Sequence, residues 1–244
     1  MSNFQVLAHR GLASEFVPEN TLKAFADALH CGADVIETDV QCTKDGVAIV
    51  FHDDDLLRLA GIPKKISGTA WKEIAVVDIG FGKRIPTLEE ALSGFPDARF
   101  NLDVKTSNAV APVADVINRL QAQNRVLISS FSDQRSKQTV KLIQGTVRTS
   151  AGTLRVLGLW FAFTVGATPL FSALSRGVSA LQIPVSRFGF RFDSKRFIRM
   201  ALACNLEIHF WTINNLTEVE RLRRLGATGV VTDHCDLIIN SIPK

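Results

Sequence analysis

Residues 4–40 read FQVLAHRGLASEFVPENTLKAFADALHCGADVIETDV, and this stretch decides the fold. Phe4 to Ala8 is a short β-rich run, and TLKAFADALHCG is amphipathic at helical spacing with Gly32 as its stop. Val35 to Gln41 is a second apolar, β-branched run. Two strands joined by a helix are the unit of a parallel sheet, because parallel neighbours need a crossover.

The alternation continues to the end of the chain. Val47–Phe51, Arg99–Val104, Arg125–Ser130, Thr146–Ser150, Ala180–Val185, Glu207–Thr212 and Thr228–Thr232 read as strands. Thr87 opens a helix with a capping box completed by Glu90. Asp115–Gln121, Asp133–Leu142, Ser194–Ala203 and Leu216–Leu225 follow at 3.6-residue spacing. Eight such units would close a barrel in one domain of 244 residues. A doubly wound open sheet is the runner-up.

Composition narrows the class further. With 46% hydrophobic residues and 21% charged, the chain is neither disordered nor collagen-like. The four cysteines form no CxxC pair and read as buried thiols in a reducing compartment. Met1–Leu7 is too short and too uncharged for a signal peptide, so a cytoplasmic protein is the expectation. The net charge of +4 conceals a split: residues 1–60 hold 4 basic and 10 acidic groups, residues 119–199 hold 13 basic and 2 acidic.

In a parallel barrel, functional groups gather where strands end. His9 and Arg10 follow the first strand, Glu37 and Asp39 share one face of the second, and His52 with Asp53 follows Val47–Phe51. Asp103 with Lys105 ends another strand, and Gln182, Trp211 and Asp233 lie further along. Two same-face carboxylates on an apolar strand need a shared proton or a compensating cation: a salt bridge to Arg10 or Lys105, or a metal. A third acid, Asp103, favours the metal, and an all-oxygen set suits Mg²⁺ or Ca²⁺ over zinc. Two histidines can divide general acid and base work, and Arg10 with Lys105 supplies charge for an anionic phosphorus centre. Phosphate ester chemistry is the expectation.

The ordered motifs AHRG (8–11), PENT (18–21), IETDV (36–40), FHDDDL (51–56), IPTLEE (85–90), LDVK (102–105), SSF (129–131), FWTINN (210–215) and GVVTD (229–233) resemble the glycerophosphodiester phosphodiesterase family over nearly the whole chain. The resemblance implies a single-domain TIM-like (β/α)8 barrel, one divalent cation, and hydrolysis of glycerophosphodiesters to glycerol 3-phosphate and an alcohol. It implies His9 and His52 as the acid/base pair and Glu37, Asp39 and Asp103 as metal ligands. Arg10 and Lys105 become the phosphate clamp, and Trp211 walls the glycerol pocket, with Gln182 also on the substrate side. Asn20 either serves the site or caps the first helix. Three departures stand out: Asp103 where many members have Glu, a short insertion at about 54–85, and Leu57-Arg58 where Asp-Arg is frequent.

Val156–Phe171 (VLGLWFAFTVGATPLF) is the most apolar run, too short and too interrupted by Gly166 and Pro169 for a span of about 20 residues. It reads as an apolar rim segment at about 153–172, either a buried helix or a greasy loop over the site. With arginines beside it, it raises the alternative of lysophospholipase D type hydrolysis of a lipid phosphodiester at an anionic membrane, the protein being peripheral to the inner face. A non-catalytic binding protein would not need both histidines and three acids. A nuclease ranks last, since no aromatic stacking platform accompanies the basic groups, and no nucleic-acid partner is expected.

Overall fold

The run Val35–Cys42 is buried at every residue, Glu37 and Asp39 included. A strand buried on both faces needs strand neighbours on either side and helices outside it. In a computed structural model that describes residues 4–187 and 189–241, it finds both. The strands are β1 (Gln5–His9), β2 (Val35–Cys42), β3 (Ala48–Val50), β4 (Phe100–Val104), β5 (Val126–Ser129), β6 (Arg148–Thr149), β7 (Ala180–Ile183), β8 (Ser186–Arg187), β9 (Phe190–Arg191), β10 (Glu207–Phe210) and β11 (Gly229–Thr232). The helices are α1 (Leu22–His30), α2 (Leu57–Ala60), α3 (Trp71–Ile74), α4 (Leu88–Gly94), α5 (Val110–Arg119), α6 (Asp133–Leu142), α7 (Thr153–Thr164), α8 (Thr168–Ser175), α9 (Lys195–Ala203), α10 (Leu216–Leu225) and α11 (Cys235–Ser241).

Parallel pairing runs β6–β5–β4–β2–β1–β11–β10–β7. A parallel bridge between Ser150 and Ala180 joins its two ends. Eight parallel strands therefore close into a TIM-like barrel in a single domain, and the open-sheet alternative falls. The expected strand 47–51 is not one of the eight: β3 pairs antiparallel with β2, outside the ring. It begins the insertion, whose Ile66, Ile74 and Ile79 pack on Ile49 and Phe51 in a small core of their own.

Local chemistry places the helix starts. Thr21, not Asn20, caps α1 by accepting from the Ala24 N–H. Thr87 and Glu90 form the expected capping box, and Ser132, Ser194 and Asn215 cap α6, α9 and α10. Helix α5 starts at Val110 rather than Asp115, because Val110, Val113 and Ala114 already face the core. Gly11 sits at φ +80°, and a Cβ there would lie 2.7 Å from the Ala24 backbone. Only glycine lets α1 approach the end of β1 that closely.

The apolar run forms two short helices, not one buried helix or a loop. Trp160 and Phe163 turn inward, onto Phe190 and Phe197 respectively, while Leu154, Phe161 and Val165 stay exposed. No helix among the described residues is long and apolar enough to cross a membrane. All four cysteines are free; Cys42 and Cys235 are buried, while Cys31 and Cys204 are half-buried rather than fully enclosed as expected. His30 ends α1, as its position suggested.

Candidate active site

Sheet register assembles the site. His9 on β1 lies beside Glu37 on β2, which lies beside Asn101 on β4. Two residues on, Asp39 lies beside Asp103, which lies beside Ser129 on β5. Four adjacent strands, β1, β2, β4 and β5, thus present two layers of polar side chains into the barrel at the strands' C-terminal ends, the functional face of this architecture.

Each histidine is held by a carboxylate. His9 Nδ1 donates to Asp233 Oδ1 at 2.6 Å, and Asn214 donates to the other oxygen of Asp233 at 2.7 Å. His52 Nδ1 donates to Asp53 Oδ1 at 2.7 Å. A carboxylate on Nδ1 keeps the proton there and leaves Nε2 for exchange with a reacting group. Burial disfavours the charged His9 ring, but the Asp233 hydrogen bond and the Glu37 charge outweigh it and raise its pKa.

The acids and cations interlock. Lys105 Nζ stands 3.0 Å from Asp39 Oδ1 and 3.1 Å from Asp103 Oδ2. Arg10 Nε lies 3.1 Å from Asp39 Oδ2, and its Nη1 donates to Glu19 at 2.8 Å. Burial would raise Asp39, yet Lys105 and Arg10 hold it below the usual carboxylate range. Burial, and next the Asp39 charge, push the Glu37 carboxyl up to about 8. Burial also raises Asp103, with Lys105 opposing. Glu37 and Asp39 thus share a strand face while their environments push their pKa values in opposite directions.

A cavity of about 390 Å³ opens over these groups. His9, Arg10, Glu37, Asp39, His52, Asp103, Lys105, Gln182 and Trp211 all line it. Asn20 does not. It is buried behind the site, where its amide donates to Asp39 Oδ2 at 3.1 Å and accepts from Thr38 at 2.6 Å. Its side chain fixes an acid rather than capping the helix.

Several site residues escaped prediction. Phe131 lines the cavity edge-on to Trp211, with centroids 6.0 Å apart, and Lys105 lies 6.0 Å from the same ring's centroid. Asp53 and Asp233 matter as histidine partners; both lie in motifs read from the sequence, but nothing local says which ring each would meet. Arg58, in a pair with no sequence rationale, spans Asp53 (2.6 Å) and Glu19 (2.6 Å) and so ties the His52 support to the Arg10 support. Leu57 beside it is exposed, and nothing in the structure explains its identity.

The comparisons with known proteins meet this geometry. The family model described as "Glycerophosphoryl diester phosphodiesterase family" matches residues 9–237. The chain belongs to that family. Membership makes it a phosphoric diester hydrolase. Among curated relatives of the glycerophosphodiester phosphodiesterase family, it is 34% identical over 232 residues to Probable glycerophosphodiester phosphodiesterase 2 of Mycobacterium tuberculosis, covering 95% of this chain and 88% of that one. It is 30% identical to the glycerophosphodiester phosphodiesterase of Caldanaerobacter subterraneus, with 98% of both chains covered. Among solved structures, an Oleispira antarctica phosphodiesterase in complex with sn-glycerol-3-phosphate superposes with a TM-score of 0.78 at 24% identity, covering 97% of this chain and 95% of that one. At that identity the likeness speaks for the fold.

The family resemblance implies a divalent cation, and the donor set can be tested for it. Asp103 Oδ1 is buried without a hydrogen-bond partner, and Glu37 is forced toward its neutral form by burial beside Asp39. An orphaned carboxylate oxygen and a carboxyl pushed toward neutrality are groups that a hard cation's charge would satisfy, beyond what Arg10 and Lys105 supply. Among the described residues no three His, Cys, Asp or Glu side chains already converge at ligand spacing, and Lys105 occupies the gap between Asp39 and Asp103. The donor chemistry of this glycerophosphodiester phosphodiesterase family member fits a hard cation.

Proposed function

We propose that the protein hydrolyses glycerophosphodiesters to glycerol 3-phosphate and an alcohol, with His9 and His52 as the acid/base pair and a divalent cation as cofactor. The observation that carries this reading is the pair of rings, each pinned through Nδ1 by its own carboxylate, lining one cavity with Arg10 and Lys105.

The residues divide the work as follows. Arg10 and Lys105 line the cavity with guanidinium and ammonium groups and neutralise the non-bridging phosphate oxygens as charge builds on them. Nε2 of one histidine takes the proton of the attacking oxygen, which is water's, giving glycerol 3-phosphate directly, or that of the glycerol hydroxyl next to the ester, giving a cyclic phosphate that a water then opens to glycerol 3-phosphate. The other histidine gives its Nε2 proton to the alcohol oxygen as the P–O bond breaks. Asp53 and Asp233 hold the rings in the tautomer these transfers need. Trp211 and Phe131 wall the glycerol end and Gln182 offers a polar contact. Glu37, Asp39 and Asp103 would hold Mg²⁺ or Ca²⁺, which when bound supplies Lewis-acid polarisation of phosphate and a lowered pKa for a bound hydroxyl.

A second reading, lysophospholipase D type hydrolysis of a lipid phosphodiester, is favoured by one observation. Val156, Leu157, Ile183, Pro184, Phe190 and Phe192 make an apolar wall of the same cavity, beyond what a glycerol and a phosphate require. Phosphorus NMR of glycerophosphocholine incubated with the enzyme tests the first reading. Appearance of glycerol 3-phosphate supports it, and an unchanged spectrum with folded, cation-supplied protein contradicts it.

A further inference from the structure

Leu154, Leu157, Phe161 and Val165 are three, four and four residues apart, so they form one stripe on α7 and its C-cap. None is covered: Leu154 is 80% exposed, Phe161 57% and Val165 57%. The stripe is about 16 Å long at the helical rise. Leu170 on α8 and Phe190 on β9 are further exposed apolar side chains of the same region. The platform is firm, because α7 and α8 pack so closely that a Cβ on Gly158 would stand 3.2 Å from Leu174. An exposed apolar patch of this kind marks a surface built to meet something apolar.

The charge around it says what. Between Asp133 and Asp193 the chain holds no acidic residue; Arg155 and Arg191 pair with those two acids, while Arg176 also lies in the stretch and Lys195, Arg196 and Arg199 follow on α9. Arg196 lies 5.7 Å from the ring of Phe163 on α7, which brings the basic helix α9 to the apolar hairpin. Aliphatic and aromatic side chains flanked by arginine and lysine match an anionic bilayer, whose acyl region takes the former and whose headgroups take the latter. Leu157 belongs to both the stripe and the cavity wall, so the apolar surface meets the site at that residue.

We infer that the α7–α8 hairpin, flanked by α9, is a docking surface for an anionic lipid bilayer that sets the cavity mouth against the membrane. This rests on the lipid reading above, but its readout is vesicle binding, with no lipid turnover measured, so the two fail separately. The protein is sedimented with phosphatidylglycerol vesicles and with phosphatidylcholine vesicles. Wild type pellets with the former and far less with the latter, in a salt-sensitive manner. Leu154→Ser with Phe161→Ser lowers the bound fraction about ten-fold or more, while glycerophosphocholine turnover and the circular dichroism spectrum stay as in wild type, since neither residue lines the cavity. Lys195→Glu with Arg196→Glu lowers phosphatidylglycerol binding and removes its salt sensitivity. Failure of wild type to pellet, or pelleting indifferent to both pairs, overturns the inference. So does a wild-type dimer in solution that Leu154→Ser with Phe161→Ser turns into a monomer, because the stripe would then belong to a second copy of the chain.

Discussion

Arg58 donates from Nε to Asp53 Oδ2 over 2.6 Å, and Asp53 uses its other oxygen to hold His52. The same guanidinium reaches Glu19, the partner of Arg10. One exposed arginine thereby ties together the carboxylates that hold His52 and Arg10, the proposed proton-transfer and phosphate-binding residues.

Arg58→Gln should lower kcat roughly 10- to 100-fold, the range for lost support of a functional side chain, with the fold intact by circular dichroism. Arg58→Lys should restore little, because a point ammonium cannot bridge two carboxylates as a planar fork does. A steady-state comparison of the two variants decides this; full activity in Arg58→Gln would assign the network to the surface alone.

Asp233→Asn and Asp53→Asn keep shape but allow the wrong tautomer at His9 and His52. Each should cost roughly 10²- to 10⁴-fold in kcat with a smaller change in KM. Equal loss in both parameters would mean that the carboxylates serve substrate binding instead.

Gly11→Ala should destabilise the fold by at least about 2 kcal/mol, since the new Cβ meets Ala24 backbone and the residue keeps a left-handed φ. Urea unfolding measures it. A midpoint equal to wild type would show that α1 can shift outward at no cost.

Glu207 lies beside His209 at 3.3 Å and Arg148 at 2.6 Å, on the strand-start side of the barrel. The His209 ring and the Arg148 charge hold it down to about 2, against burial, from an ordinary 4.5. A depressed carboxylate stabilises above its unfolded pKa and loses that stability as pH falls through its folded one. Glu207→Gln should therefore be less stable than wild type by roughly 1 to 3 kcal/mol at pH 6, with the gap closing between about pH 4.5 and pH 2. A gap independent of pH would contradict the charge-pair account.

The barrel was legible because its strands are short apolar runs and its outer helices are amphipathic with ordinary caps. The hairpin α7–α8 was not, because its residues are apolar on the covered face (Val156, Leu159, Ala162) and on the open one (Leu154, Phe161). Periodicity then has nothing to contrast. Within the site, the acids, cations and His9 could be named from position along β1, β2 and β4, and His52 from its place after β3. Their partners could not, since His9 and Asp233 lie 224 residues apart and meet only because β11 closes on β1. Of the two roles open to Asn20 in the sequence, the geometry favours the site over the cap: it bonds Asp39, and Thr21 does the capping.

The central claim, cation-dependent hydrolysis by a histidine pair, is tested most directly by glycerol 3-phosphate release from glycerophosphocholine in three parallel reactions. These contain wild type with Mg²⁺ or Ca²⁺, wild type with excess EDTA, and His52→Ala with the cation. The account predicts product in the first, almost none in the second with recovery when cation is restored, and almost none in the third. Undiminished release in EDTA, or from His52→Ala, would contradict it.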